Sequence, residues 1–428
     1  MKLELLNADL TAGKYAEKFT AMYGAENVEA QTARYLAAVR SFAEIYGADR
    51  DVELFSVAGR SEISGNHTDH NRGCVLAASI DLDIIAVASK VDAPVIRIKS
   101  EGFPEDAVDI STYTEPVADK FFTSGSIIAG MAKAFTNNSL KVGGYDAYTT
   151  SNVFKGSGLS SSAAFEDMVG NILNHFYNDG SVDNVDVAKM AQYAENVFFG
   201  KPCGLMDQMA CGVGGFISID FEDPKNPIIG KPAFDLTAAG YSLCIVDTHG
   251  NHADLNEDYA SVPAEMKSVA AYFGCEVLRQ VNRGEFMANI AALREKVGDR
   301  AVIRAMHFFA ENDRVAAQAV ALKHGDIDGF FRGVTASGNS SFKYLQNVYT
   351  TKNVHEQGLS LALCLTEQFL AGKGGVCRVH GGGFAGTIQA FVPHAHVAAY
   401  RQMIEAVYGA GSCYVLKVRA DGAIKVSF

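Results

Sequence analysis

"GSGLSSSAA", Gly156–Ala164, lies between a β-like run, "GYDAYTTSNVF" at 144–154, and a stretch where Phe165, Met168, Val169, Ile172 and Phe176 recur at helical spacing. The reading is strand, glycine-rich turn, then a helix beginning near Ala163. Glycines allow close backbone approach, and the free N–H groups at a helix N-terminus suit an anion such as phosphate. Ser160, Ser161 and Ser162 add hydroxyls that can cap the helix, bond phosphate oxygens or ligate a hard metal ion. An ordinary loop with serine caps would look similar in isolation. The ending Gly-Lys-[Ser/Thr] of a Walker A loop is absent.

A second glycine-rich turn, "HGGGFAG" at His380–Gly386, precedes the β-like run "TIQAFV". Two such turns fit a polyphosphate held from both sides by backbone, although either alone also fits a tight turn needing positive φ. "KPCGLMDQMACG" from Lys201 places Asp207 in a short turn, where it can accept a proton from a hydroxyl or bond its own backbone. Glu195 lies on a helix read over about 185–199. It gains meaning only beside a phosphate loop, because phosphoryl transfer needs oxygen ligands for Mg²⁺ and a group to orient the nucleophile. "SVAGRSEISGNHTDHNRG", Ser56–Gly73, is polar between apolar runs. Its Arg60 can neutralise phosphoryl charge, and Asn66, His67 and Asp69 offer donors and acceptors suited to sugar hydroxyls.

The remaining chain supports a mixed α+β protein. Helical spacing appears at 30–46, 121–135, 259–273 and 301–322, while "LDIIAVASKV" and "PVIRIKS" read as neighbouring strands and "CYVLKV" and "AIKVSF" as β-like. At 428 residues, two domains are expected, divided near residue 200. The net charge of −12 opposes nonspecific binding to nucleic acid or anionic membrane. No run is apolar for long enough to span a bilayer, and "MKLELLNADLTAGKY" is a poor secretory signal. The eight cysteines form no Cys-x-x-Cys pair, which disfavours zinc and fits reduced thiols in the cytoplasm.

Taken in order, these stretches resemble the galactokinases of the GHMP kinase superfamily. The galactokinase signature reads approximately P-G-R-V-N-L-I-G-E-H-T-D-Y-N-x-G, and here stands "AGRSEISGNHTDHNRG". "GSGLSSSAAFE" is similar to the superfamily phosphate loop, "AENVFFGKPCGLMDQ" to the segment with the catalytic aspartate, and "RVHGGGFAG" to the third glycine motif. "DTHGNHADLNEDY" at 247–259 resembles a galactokinase segment whose final tyrosine touches the sugar. The resemblance runs over about residues 30–390.

It implies a two-domain α+β GHMP fold: an extension over 1–30, an N-terminal domain over 31–200 and a C-terminal domain over 201–428, with the site in the cleft between the domains. It implies an ATP- and Mg²⁺-dependent sugar 1-kinase, with galactose as the leading acceptor. Asp207 would be the catalytic base or electrostatic anchor, with Arg60 beside it. Gly156, Ser157, Gly158, Leu159, Ser160, Ser161 and Ser162 would hold the nucleotide, and Ser162 and Glu195 the Mg²⁺. Asn66, His67, Asp69, Gly204 and Tyr259 would contact the sugar.

Departures from the pattern include Ala58, Glu62, His70 and Ala385, and above all Asn66 in place of glutamate. That last change points either to weaker galactose binding or to another sugar, such as N-acetylgalactosamine or arabinose. A sugar and ATP sensor without turnover is a third reading.

Overall fold

The computed structural model describes residues 1–153, 158–250 and 255–427. Its strands are β1 (Glu53–Ser64), β2 (Cys74–Lys90), β3 (Val95–Ser100), β4 (Glu105–Asp109), β5 (Tyr145–Ser151), β6 (Phe216–Asp220), β7 (Ile228–Gly230), β8 (Tyr241–Asp247), β9 (Val376–His380), β10 (Thr387–Pro393), β11 (Cys413–Leu416) and β12 (Ala423–Lys425). They form two sheets. The first runs β12-β1-β2-β5-β3-β4, with β6 on β2 and β7 on β6; the second runs β11-β8-β10-β9.

Strand β2 is the spine of the first sheet. Its first half pairs with β6 and its second half with β5, while β1 runs along both. The expected neighbours β2 and β3 are separated by β5, which pairs in parallel with β3. Two apolar runs close in sequence gave no sign that a third strand, more than forty residues on, comes between them.

In the half of this sheet where β2 meets β5, the alternation of side chains across a strand divides the contacts between two cores. Phe55, Val57, Ala86 and Ile96 face the helices Ser124–Asn137, Ser161–Tyr177 and Asn184–Tyr193, meeting Ile128, Met131, Phe135, Met168, Ile172 and Phe176. Leu54, Ile85 and Val87 point the other way, against Leu6, Leu10, Phe19, Tyr35, Val39 and Phe42. The first thirty residues are thus the helices Leu3–Thr11 and Ala16–Tyr23, which together with Val28–Tyr46 cover the second face of the sheet.

The second sheet is covered on one face by helices Gly358–Leu370 and Val397–Tyr408. On the other, Leu243, Ile245 and Phe391 share a core with Phe330 and Phe331 and also with Ile63, Leu76 and Phe216 of the first sheet. This shared core joins the two halves. Beyond residue 200 the chain still adds helix Met206–Val213, β6, β7 and β12 to the first half, so the sheets do not divide at that point.

A buried ionic cluster ties the N-terminal helices to the sheet. Asp83 on β2 is fully buried. It accepts from Arg34 Nη1 at 2.6 Å, Arg419 Nη1 at 3.1 Å, and the hydroxyls of Tyr23 and Ser56. Burial alone would raise the Asp83 pKa, but Arg34 and Arg419 overcome it and hold the carboxyl below its usual value.

Removing one partner of a buried pair leaves the other charges uncompensated, so Asp83→Asn is expected to cost about 3–5 kcal/mol in urea unfolding at pH 7. Because the folded pKa is depressed, this contribution is present above the unfolded value of about 3.9 and lost as pH falls through the folded value. The difference between wild type and Asp83→Asn should therefore close only in strong acid; a gap already closed at pH 6 would refute the assignment.

Candidate active site

Arg60 enters the site from β1, just after a register shift between Ala58 and Arg60. Its backbone N–H donates to Leu159 O at 3.1 Å, and its Nη1 to Gly158 O. The guanidinium also grips Asp207: Nε and Nη2 lie 2.9 and 2.8 Å from Asp207 Oδ1. Asp207 Oδ2 accepts from Ser160 Oγ at 2.8 Å. Burial works against the charge on Arg60, but Asp207 and Glu62 more than offset it and raise its pKa.

The arginine is buried while the Asp207 side chain keeps 38% of its surface open, so the carboxylate is fixed from behind and presented in front. It stands in the first turn of helix Met206–Val213 rather than in an irregular turn, a favourable place for a negative charge.

Ser160 caps helix Ser161–Tyr177 from a left-handed conformation, φ 60° and ψ 53°, and Gly158 has φ +70°. For a serine this conformation is uncommon and marks a constrained turn. Its hydroxyl makes no capping bond to the helix and goes to Asp207 instead. The backbone N–H groups of this N-terminus remain suited to an anion. Gly156 and Ser157 lie outside the described residues.

Behind the turn is a cavity of about 770 Å³, whose lining includes Ser161, Ser162, Phe165, Glu166, Glu195 and Lys201. This size is in the range of small-molecule sites. Glu195 sits on a π-helical turn, Ala194–Phe199, and is 4% exposed, so it is no solvated helix face. Its Oε2 accepts from Gln208 Nε2 at 2.9 Å, and its Oε1 lies 3.3 Å from Lys201 Nζ. The same Gln208 nitrogen donates to Glu166 Oε2 at 2.9 Å.

Burial, followed by the charge of Glu195, pushes the Glu166 carboxyl well up. Sequence reasoning passed over Glu166 and Gln208, although Glu166 falls one helical turn after Ser162 and Gln208 adjoins Asp207. Ser162, Glu166 and Glu195 present hard oxygen donors of the kind Mg²⁺ takes. Among the described residues no three acidic, histidine or cysteine side chains form a closed metal cage. That donor set fits an ion held partly by substrate phosphates.

On the other side, three of the expected sugar residues meet the second glycine turn. Asn66 Nδ2 donates to Gly381 O at 2.7 Å, His67 Nε2 is 2.9 Å from Gly382 O, and Tyr259 Oη donates to Gly383 O at 2.7 Å. Asn347, which no sequence signal marked, donates to Gly382 O at 3.0 Å and to Asn66 Oδ1 at 2.6 Å. Gly383 has φ +80°, and a Cβ there would stand 1.9 Å from Asn347 O, so only glycine fits.

Asn66 is 1% exposed and its amide is bound up within the protein. Asp69 and Gly204 adjoin each other: a Cβ on Gly204 would lie 2.4 Å from Asp69 Oδ2. His380 closes the gap between the two loops. It is buried, holds Thr387 Oγ1 through Nδ1 at 2.8 Å and packs against Gly158, and burial together with nearby Arg60 lowers its pKa well below normal.

The chain is similar to known proteins in both sequence and fold. Residues 126–215 match the GHMP kinases N terminal domain, and residues 40–90 the galactokinase galactose-binding signature. The galactokinase of Streptomyces coelicolor is 30% identical over 375 residues, covering 86% of this chain and 92% of that protein. A galactokinase of Actinobacillus pleuropneumoniae is 30% identical over 370 residues, with the same coverage.

In fold, the chain is similar to a Lactococcus lactis galactokinase solved with galactose, with a TM-score of 0.74 at 24% identity, covering 91% of this chain and all of the other. It is also similar to a mevalonate kinase, with a TM-score of 0.61 at 13% identity over 86% of this chain and 99% of that one. Sequence identity of 30% over most of both chains, together with the two matching family models, makes this protein a member of the galactokinase family of GHMP kinases.

Proposed function

We propose that this protein transfers the γ-phosphoryl group of ATP to the C1 hydroxyl of galactose, giving galactose 1-phosphate and ADP. The observation that carries the reading is the Arg60–Asp207–Ser160 constellation at the end of the phosphate turn, with the carboxylate open on one side. A fixed carboxylate of this kind can accept a hydrogen bond from the sugar hydroxyl and aim it at phosphorus. As the oxygen–phosphorus bond forms and the bond from the γ-phosphorus to the bridging oxygen breaks, the hydroxyl proton passes to Asp207 and ADP leaves. Arg60, buried and unable to lose its charge, steadies Asp207 and lies beside the developing negative charge.

The backbone of Gly158–Ser161 and the hydroxyls of Ser161 and Ser162 serve the phosphates, and the cavity behind them takes the rest of the nucleotide. Ser162 and Glu195 would hold Mg²⁺, with Glu166 beside them; the ion, when bound, neutralises charge on the β- and γ-phosphates. His67, Asp69, Gly204 and Tyr259 form the sugar side. Among the described residues no helix is long and apolar enough to cross a membrane. The eight cysteines are free and mostly buried, and we assign the reaction to the cytoplasm.

The direct test is ADP release with Mg-ATP and galactose, N-acetylgalactosamine, arabinose or glucose. Galactose-dependent turnover is expected. Asp207→Asn should lower kcat by about 10²–10⁴-fold with sugar binding retained. Turnover with another sugar alone would move the acceptor assignment, and ligand-induced stabilisation without ADP would replace the kinase by a sensor. A second expectation concerns Gln208, which holds both acidic side chains. Gln208→Met should weaken Mg²⁺-dependent ATP binding, read by calorimetry, by about 10–100-fold, as for other residues that orient metal ligands; unchanged Mg²⁺ dependence would remove Glu166 and Glu195 from that role.

A further inference from the structure

Two departures from the galactokinase signature stand four residues apart and are complementary. Glu62 occupies the position of the pattern's asparagine, and Asn66 that of its glutamate. In the folded protein they touch: Asn66 Nδ2 donates to Glu62 Oε1 at 2.8 Å, both side chains being buried. We propose that this is a single exchange, in which carboxylate and amide have traded places, and that the pair positions the Gly381–Gly383 turn instead of reading the sugar.

The hydrogen-bond inventory supports this. An asparagine amide has two N–H donors and a carbonyl with two lone pairs. Here Nδ2 donates to Glu62 and to Gly381 O, and Oδ1 accepts from Asn347 Nδ2 at 2.6 Å and Ser341 Oγ at 3.3 Å. Every capacity is used inside the protein, so none is left for a ligand hydroxyl. A carboxylate at position 66 has no N–H to give Gly381 O, whereas the asparagine does.

The exchanged charge at position 62 lies toward buried cations. Burial raises the Glu62 pKa above its usual value; Arg378, whose Nη2 is 3.8 Å from Glu62 Oε1, and Arg60 act against that rise, and Asp69 adds to it. The backbone around the pair is held as well. His307 Nε2 is 3.0 Å from Asn66 O, and Glu311 accepts from Gly65 N at 2.9 Å, with Arg314 paired to the same glutamate.

The part of this inference that concerns sugar rests on the galactokinase reading; the pairing does not. The experiment is a double-mutant cycle of Glu62→Asn and Asn66→Glu, followed by thermal unfolding at pH 8 and pH 5.5 and by substrate kinetics. Asn66→Glu alone places two carboxylates together in a buried site, which raises the folded pKa of one above its unfolded value. Its destabilisation is therefore full at pH 8 and lessens as pH falls through that folded pKa. Adding Glu62→Asn should restore the melting temperature at pH 8 and abolish the extra pH dependence.

The sugar KM should rise about tenfold in Asn66→Glu, because the Gly381–Gly383 turn, which also bonds His67 and Tyr259, loses the amide that anchors it, with partial return in the double variant. Should Asn66→Glu not fold, Glu62→Gln is to be made in both backgrounds: it keeps an acceptor for Asn66 without the charge, and should be tolerated alone and rescue the single variant. Additive losses, or a pH-independent loss, would overturn the exchange. Absence of ADP formation by the wild type would refute the kinase reading while leaving the stability cycle decisive for the pair.

Discussion

The ion pair between Arg60 and Asp207 is the constraint around which the site is arranged. A buried guanidinium requires a counter-charge, and Asp207 supplies it from a different helix. To reach it, β1 must deliver Arg60 beneath the glycine-rich turn at Gly158–Ser160, and helix Met206–Val213 must present its first turn to the same point. Ser160 joins the pair by giving its hydroxyl to the second carboxylate oxygen instead of to its own helix. The strained backbone of Ser160 and the orientation of Asp207 are thus two aspects of one contact. Such preorganisation lets a charged group act without rearrangement during reaction.

Around this pair the molecule separates its chemistry into two sides. On the side of the cavity, acidic groups are concentrated and oriented by one neutral amide, Gln208, which bridges Glu166 and Glu195. On the other side, the glycine turn at Gly381–Gly383 is held at three successive carbonyls by Asn66, His67, Asn347 and Tyr259. His380 and Gly158 pack where the two sides meet, at the end of β9. The shared core beneath, with residues from both sheets, explains how two loops more than two hundred residues apart keep a common register.

The N-terminal helices have a different role. They cover sheet residues that would otherwise expose Leu54, Ile85 and Val87 to water, and their contact is made specific by Asp83, Arg34 and Arg419. Burial of a carboxylate is tolerated only because two cations and two hydroxyls surround it. Near the site Arg378 and Glu62 also lie within the protein, but there burial outweighs the nearby cations and raises the Glu62 carboxyl.

The sequence by itself determined the local elements and the family. Helical periodicity marked Val28–Tyr46, Ser161–Tyr177 and Asp299–Lys323 to within a few residues, because apolar spacing follows directly from which face must leave water. Glycine turns and the polar signature stretch marked loops that the fold brings together, since those backbones and groups depend on residue type.

Tertiary structure decided what each of these residues touches. Nothing local places β5 between β2 and β3, gives the first thirty residues a sheet to cover, or makes Glu195 a buried neighbour of Glu166. Asn66 shows the difference most sharply: its residue type suits a sugar contact, yet partners from as far along the chain as Asn347 and Gly381 use its whole amide. Hydrogen bonding is satisfied in space, and for buried groups the partners are chosen by the fold.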